Sequence, residues 1–286
     1  MPNSYITLDT LKSTAGLNLG TGTAYDNRLI EIAETVSRQL DNLLNRHFYY
    51  IVETRYFDGN GSNFLFVPDL VSIGSLREDD NLDGTFDVIW NANDFILYPL
   101  NAAPTSTWGH PYSQIIVSNK SNGTQDTFLR GQRNYEIVGT WGYGKVSLDS
   151  GRNGTLADAT GTGLTLSGGT VGTMFSKGQT LLIDDELLYI NAAPDSTATS
   201  VNVDRAINGS TGTAHTDKDV KVLRYPGPVV DAVFIQTARL WKRKDSGFAS
   251  EIGFPETGQL TILKGLDSDV KEMIRGYRRP ALGLGI

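Results

Sequence analysis

The sequence predicts an α+β fold: a small four-helix bundle formed by the two chain ends, with an antiparallel β region and an inserted small β domain between them. Three observations lead there. Apolar residues recur at helical three- and four-residue spacing near the two ends of the chain. From Tyr49 to Val146 the period drops to two, in runs rich in β-branched and aromatic residues. From about Ser147 to Arg224 aromatics almost vanish and Gly, Thr, Ser and Ala take over, a change of composition typical of an inserted domain. The expected segments are therefore 1–48 (N-terminal helices), 49–146 (antiparallel β region), 147–225 (inserted β domain) and 226–286 (C-terminal helices and tail).

Each element has a local cause. Thr7 is placed to cap a short helix from Leu8 to about Ala15, with Asp9 near its positive end and Gly16 as the stop. A second helix begins near Tyr25 or Asp26 and carries Leu29, Ala33, Val36, Leu40 and Leu43 or Leu44 as one apolar stripe. Strands are expected over 51–56, 63–67, 94–98, 114–117 and 135–141, punctuated by Asp58-Gly59, Asn60-Gly61 and Asn122-Gly123. In the Gly-rich segment strands fall at 164–166, 179–183, 187–190, 200–203 and 220–223, with Asp184-Asp185-Glu186 as a solvated hairpin tip. Pro226 and Pro228 open a third helix with Val230, Val233, Phe234, Thr237, Leu240 and Trp241 inward. Asp267 caps a fourth, which turns Val270, Met273, Ile274 and Tyr277 inward.

Composition narrows the function classes. The chain has 286 residues, 39% of them hydrophobic and 20% charged, enough apolar material for a core and too little charge for disorder. It contains no cysteine, which removes disulfide frameworks, thiolate metal sites and cysteine nucleophiles. No run of eighteen apolar residues occurs, and Met1-Pro2-Asn3-Ser4 opens no signal peptide, so no membrane association is expected. The net charge of −7 argues against general nucleic-acid binding. The charge is uneven: between Arg239 and Pro280 nine Lys/Arg face six Asp/Glu, so this block is +3 and the remainder −10.

Few motifs suggest chemistry. Gly139-Thr140-Trp141-Gly142-Tyr143-Gly144-Lys145 matches part of a phosphate-binding loop, but Val146 stands where Ser/Thr is needed and no helix follows, so a strand ending in an aromatic-glycine turn is expected. Asp79, Asn81, Asp83, Thr85 and Asp87 fall at positions one, three, five, seven and nine of a calcium loop around Gly84. Trp90 occupies the twelfth position, where the bidentate Glu would stand, so the segment fits either a weak calcium loop or a plain Asp/Asn-rich hairpin turn. His47, His110 and His215 lie in three different regions with no helical-spacing partner, which supports neither a zinc site nor a catalytic triad. No catalytic residue and no enzymatic activity are expected. The basic exits Lys242-Arg243-Lys244 and Arg275, Arg278, Arg279 either complement helix dipoles or form a rim for an acidic partner.

Several segments, in order, resemble the head-tail adaptor (connector, head-completion) proteins of long-tailed bacteriophages. They are Tyr5–Lys12, the helix from Ile30-Glu31-Ile32-Ala33 to Asn45-Arg46-His47-Phe48, the turn Trp141-Gly142-Tyr143-Gly144, the helix exit Ala238–Asp245, and Asp267-Ser268-Asp269-Val270 through Arg275-Gly276-Tyr277-Arg278-Arg279-Pro280. The resemblance implies a structural virion protein at the head-tail interface, made and assembled in the bacterial host cytoplasm. Such a protein forms a ring, commonly dodecameric, joins the portal protein to a tail-side stopper or tail-completion protein, and extends a channel through which genomic DNA passes without sequence-specific binding. It also implies that the C-terminal helix and tail meet the portal, here Arg275, Arg278, Arg279, Pro280, Leu282 and Ile286. The segment from Ser147 to Arg224 is extra to the short family members; its Phe175–Gln179, Asp184–Glu186 and Arg205–Thr211 pieces resemble small β modules of phage tail-associated proteins. The alternative on the residues alone is a calcium-dependent carbohydrate- or surface-binding β module.

Overall fold

The computed structural model describes residues 3–119, 123–243, 251–254, 258–261 and 265–279. These divide into two compact units, one drawn from Met1–Asn45, Leu148–Ile207 and Thr211–Ile286, the other from Arg46–Ser147 and Asn208–Ser210.

The second unit is an antiparallel sheet. Its strands are β1 (Ile51–Gly59), β2 (Phe64–Glu78), β3 (Val88–Trp90), β4 (Phe95–Tyr98), β5 (Tyr112–Val117) and β6 (Gly131–Trp141), in the order β1-β6-β2-β5-β4, with β3 on β2. Leu65, Val67, Leu70, Leu76, Ile115, Ile137 and the aromatic rings of Trp90, Phe128, Tyr135 and Trp141 make its core. Strand β2 is far longer than its sequence suggests because it runs on through a register shift at Pro68 and gains a second partner beyond it. Phe64–Phe66 pair with β5, the register to β5 shifts across Pro68 and resumes at Leu70 opposite Tyr112, and from Leu70 to Glu78 the strand also pairs with β6. A proline lacks the N–H a central ladder needs, so it sits where the ladder shifts. Glu78, buried at the strand end, accepts from Trp90 Nε1 at 2.9 Å and from the Tyr135 hydroxyl at 2.6 Å. Burial first, and then that carboxylate, push the Tyr135 phenol far up, so it remains a donor.

The first unit joins a closed barrel to helices. Strands β7 (Ser147–Leu156), β8 (Gly163–Leu166), β9 (Thr180–Ile183), β10 (Glu186–Ile190), β11 (Ser200–Asp204) and β12 (His215–Leu223) close in the order β10-β11-β8-β7-β12-β9. Alternate residues fill it: Leu164 and Leu166, Leu181 and Ile183, Leu188 and Ile190, Val201 and Val203, with Val220 and Phe175. Closure removes sheet edges from a strand set that is short and poor in aromatics. It also explains β7, whose Gly- and Asn-rich sequence has little strand propensity of its own. A Cβ at Gly154 would lie 2.8 Å from both Leu164 Cδ1 and Val220 Cγ2, so the barrel wall fits there only without a side chain.

Four helices accompany the barrel among the described residues: α1 (Leu8–Lys12), α2 (Asp26–Leu44), α3 (Gly227–Lys242) and α4 (Ser268–Ile274). A β-hairpin, β13 (Glu251–Phe254) with β14 (Gly258–Thr261), lies between α3 and α4 in sequence. Thr7 caps α1 through Thr10 N–H at 3.2 Å, and α1 stops at Lys12 rather than Ala15 because Ser13 turns extended. Helix α2 buries Leu29, Ile30, Ala33, Val36, Leu40 and Leu44, leaving Leu43 exposed.

The helices do not form the expected four-helix bundle, and the structure is mostly β: among the described residues strand accounts for 34% and helix for 21%. The physical reason is length and partner. Helices of 5 and 7 residues, α1 and α4, are too short to supply bundle faces. The N-terminal half of α2 meets the barrel instead: the Tyr189 hydroxyl on β10 donates to Glu34, Lys177 Nζ reaches Asn27 Oδ1 at 2.7 Å, and Ile30 packs where Gly178 has no side chain. Leu8 N–H and Asp9 N–H donate to Lys177 O and Ser176 Oγ at 3.0 and 3.1 Å, fixing α1 to the same region. Helices α3 and α4 then add to this layer, α4 through an ion pair of Arg239 with Asp267 at 2.7 Å.

The fit at Gly154 yields a signed expectation. Gly154→Ala should destabilise the protein by about 1–3 kcal/mol through overpacking, although Ala is ordinarily the better residue in a strand. Thermal denaturation of the variant at or above the wild-type midpoint would contradict the packing described.

Candidate functional site

The basic C-terminal turn is built by α4. Asp267 accepts Asp269 N–H at 2.9 Å as N-cap while also holding Arg239, which fixes the helix start. Val270 and Ile274 are buried, and the remaining positions face outward. Met273, expected inward, is 39% exposed, because a two-turn helix in contact through Val270 and Ile274 has no second buried face. The chain then makes a 3-10 turn over Arg275–Tyr277, and Arg279 N–H donates to Leu44 O at 2.9 Å, tying the exit to the end of α2. Arg275 projects with its side chain 79% exposed and 3.7 Å from Glu272, a surface pair worth little energy. Arg278 is exposed and Arg279 half-buried. Pro280, Leu282 and Ile286 lie outside the described residues, as do Lys244 and Asp245 of the other basic exit.

The Asp-rich segment connects β2 to β3, with Glu78 opposite Val88 in register. The side-chain oxygens of Asp79, Asn81 and Asp83 are engaged within the loop. Asp79 accepts Asp83 and Gly84 N–H at 3.2 and 2.8 Å; Asn81 Oδ1 accepts Asp83 N–H at 3.0 Å; Asp83 accepts Thr85 N–H at 2.8 Å. The Thr85 backbone N–H first, then the Thr85 side chain and the Asn81 side-chain amide, hold the Asp83 carboxyl below the ordinary aspartate value. Among the described residues no group of three or more His, Asp or Glu is placed to hold a metal ion.

A third cluster was not legible as one in the sequence. Glu186 opens β10, Arg205 follows β11 and His215 opens β12, so barrel closure brings three strand ends to one rim. Glu186 is buried, not the solvated hairpin tip expected of it. Arg205 grips it with two bonds, Nε to Oε1 at 2.6 Å and Nη2 to Oε2 at 2.7 Å, the fork geometry that suits a carboxylate. Ala206 and Thr213 N–H donate to the same carboxylate at 3.2 and 3.1 Å. His215 Nε2 lies 2.9 Å from Glu186 Oε2 and Nδ1 lies 3.1 Å from Asp184 Oδ2. Arg205 further donates to the carbonyls of Asp158, Gly161 and Thr213. Burial alone would raise the Glu186 carboxyl; Arg205, the Thr213 N–H, His215 and the Ala206 N–H together overcome it and hold the group below its ordinary value. The sequence signal was an acidic residue at the head of the apolar run Leu187–Ile190, a position strands rarely give to an unpaired charge.

The other motifs resolve locally. His47 Nδ1 contacts Tyr49 O at 2.7 Å, three residues beyond α2, and His110 Nδ1 contacts the Tyr143 hydroxyl at 3.0 Å. Trp141 ends β6 in the core and Gly142 follows at φ 146°, so the Gly139–Lys145 segment is a strand end and turn. No helix among the described residues is long and apolar enough to cross a membrane. No protein-family model matches the chain, and no curated protein matches it in sequence.

The Glu186 cluster carries a pH expectation. A carboxyl held below its unfolded value of 4.5 stabilises the fold fully above that pH and loses the contribution as the pH falls through and below it. Glu186→Gln should therefore cost about 3 kcal/mol at pH 7, where it leaves Arg205 buried without its counter-charge. The gap to wild type should narrow as the pH falls below 4.5; a penalty independent of pH in denaturant titrations would contradict this.

Proposed function

We propose that this chain is a structural virion protein, a head-tail adaptor that assembles as a ring, joins the portal to a tail-side protein and extends the DNA channel. The observation that carries this is spatial. Four of the five segments that resemble the family, spread along the sequence from Tyr5 to Pro280, fall on or beside α1, α2, α3 and α4 and, apart from Arg46–Phe48, belong to one compact unit. Within it Arg239, from the α3 segment, pairs with Asp267, from the α4 segment, and Arg279 bonds the end of α2. The proposal does not depend on a bundle. It needs a helical layer that presents a docking turn, and α4 leaves Arg275 and Arg278 exposed at its close.

The portal-facing role falls to Arg275, Arg278 and Arg279, with Pro280, Leu282 and Ile286 following in sequence. Exposed cations at an interface rim govern encounter and partner choice, and they add little to folding stability. The net −10 outside the basic block suits a channel that must not hold phosphate. Reversing Arg275, Arg278 and Arg279 to Glu together should abolish co-assembly with the portal, and the changes at the two exposed positions, Arg275 and Arg278, should leave folding stability within about 0.5 kcal/mol of wild type, as for surface changes generally. A folded triple variant that still completes particles with tails would overturn the assignment.

A further inference from the structure

The cluster at the barrel rim poses a proton-counting problem. Glu186 carries Arg205 in a two-bond grip together with the N–H groups of Ala206 and Thr213, four donors that an ionised carboxylate satisfies. Such a carboxylate only accepts. His215 nevertheless places Nε2 2.9 Å from Glu186 Oε2 and Nδ1 3.1 Å from Asp184 Oδ2. A neutral imidazole has one donor nitrogen and one acceptor nitrogen. In either tautomer one ring lone pair would face a carboxylate lone pair at hydrogen-bond distance. Both contacts are attractive only when each ring nitrogen bears a proton.

The surrounding groups do not relieve this. Thr213 Oγ1 lies 3.3 Å from Nε2, but its bond would leave the Glu186 oxygen, which is closer, still facing the nitrogen. Lys218 Nζ stands 3.9 Å from the other oxygen of Asp184, and both side chains are about half exposed, so that pair is screened by water. Arg205 is committed to Glu186 and three carbonyls. These groups come from the β9–β10 turn, β10, the β11–β12 connection and β12.

We propose that His215 is a proton-operated latch: protonated on both nitrogens it bridges Asp184 and Glu186 and holds the two ends of the β11–β12 connection closed, and loss of one proton releases them. The ends are the parts that respond because Ala206 N–H and Thr213 N–H share the carboxylate that His215 abuts, and Arg205 Nη2 joins it to Thr213 O at 2.6 Å. A repulsive nitrogen at 2.9 Å from Oε2 acts directly on the oxygen that accepts from Thr213. The direction follows: the connection is closed while the imidazolium persists and opens as the pH rises past its loss. Local openings of this kind are read by amide exchange.

The test uses the full chain with ¹⁵N-labelled histidine. Imidazole ¹⁵N spectra report the proton count of His215, assigned by its absence in His215→Gln, while hydrogen exchange follows the Ala206 and Thr213 amides across the same pH range. After correction for the intrinsic base-catalysed rate, exchange at both amides should rise about tenfold or more in step with loss of the imidazolium signal, the scale of one charge-assisted hydrogen bond. In His215→Gln the step should vanish. Should that variant not fold, Asp184→Asn, on a half-exposed turn, should move spectral conversion and exchange step together to lower pH. A neutral imidazole spectrum throughout the folded range overturns the proposal. So do corrected exchange rates that ignore the conversion, or an Asp184→Asn variant in which the two do not move together.

Discussion

Strand β10 is buried along its whole length, on both faces, and much of the unit that contains it follows from that constraint. Leu188 and Ile190 point into the barrel core, where aliphatic side chains from the other strands meet them. Leu187 and Tyr189 would otherwise be apolar surface on the outside, and Tyr189 is covered where its hydroxyl donates to Glu34 of α2. Burial first, and then Glu34, push that phenol far up, so it stays a donor there. A strand buried on both sides needs a second layer, and the N-terminal helices provide it. Helix α2 therefore spends part of its apolar stripe on a sheet, which removes the reason for a closed bundle of helices.

The same constraint explains the polar chemistry at the rim. A barrel of short strands brings their ends together, and any charge at the head of a buried strand must find partners from other strand ends. Glu186 finds Arg205 and His215, residues nineteen and twenty-nine positions away in sequence. Replacing bulk solvent by the four donor bonds of Arg205, Ala206 and Thr213 is what allows an acidic residue to open β10. The cluster also specifies register, because a shift of one residue in β10 or β12 would turn Glu186 or His215 to the opposite face.

How much of this was legible depends on whether the cause was local. Thr7, Asp267 and the stripe of α2 act within a few residues, and the structure places caps and helix starts where those residues indicate. The β9–β10 hairpin was likewise readable from two apolar runs flanking Asp184-Asp185. Strand β7 was not, since its pairing is imposed by closure, and the strand expected over 63–67 is only the first part of β2, which runs on through Pro68 to Glu78, past a residue type that central strands ordinarily exclude. The bundle expectation failed for a related reason: amphipathic stripes show that a helix has a buried face without showing what covers it. At the candidate docking turn Arg275 and Arg278 were readable as basic and helix-terminal, whereas the inward assignment of Met273 assumed a longer helix than the one that forms.

The functional account rests on the helical layer and its basic exit serving an assembly of many copies at one place in a particle. Its most direct measurement is cryo-electron microscopy of virus particles assembled with a tagged copy of this chain, without imposed symmetry at the vertex that bears the tail. The account predicts a ring of tag density between portal and tail, coaxial with the DNA channel. Tag density on the capsid shell, along the tail or on fibres, with none at the joint, would contradict it.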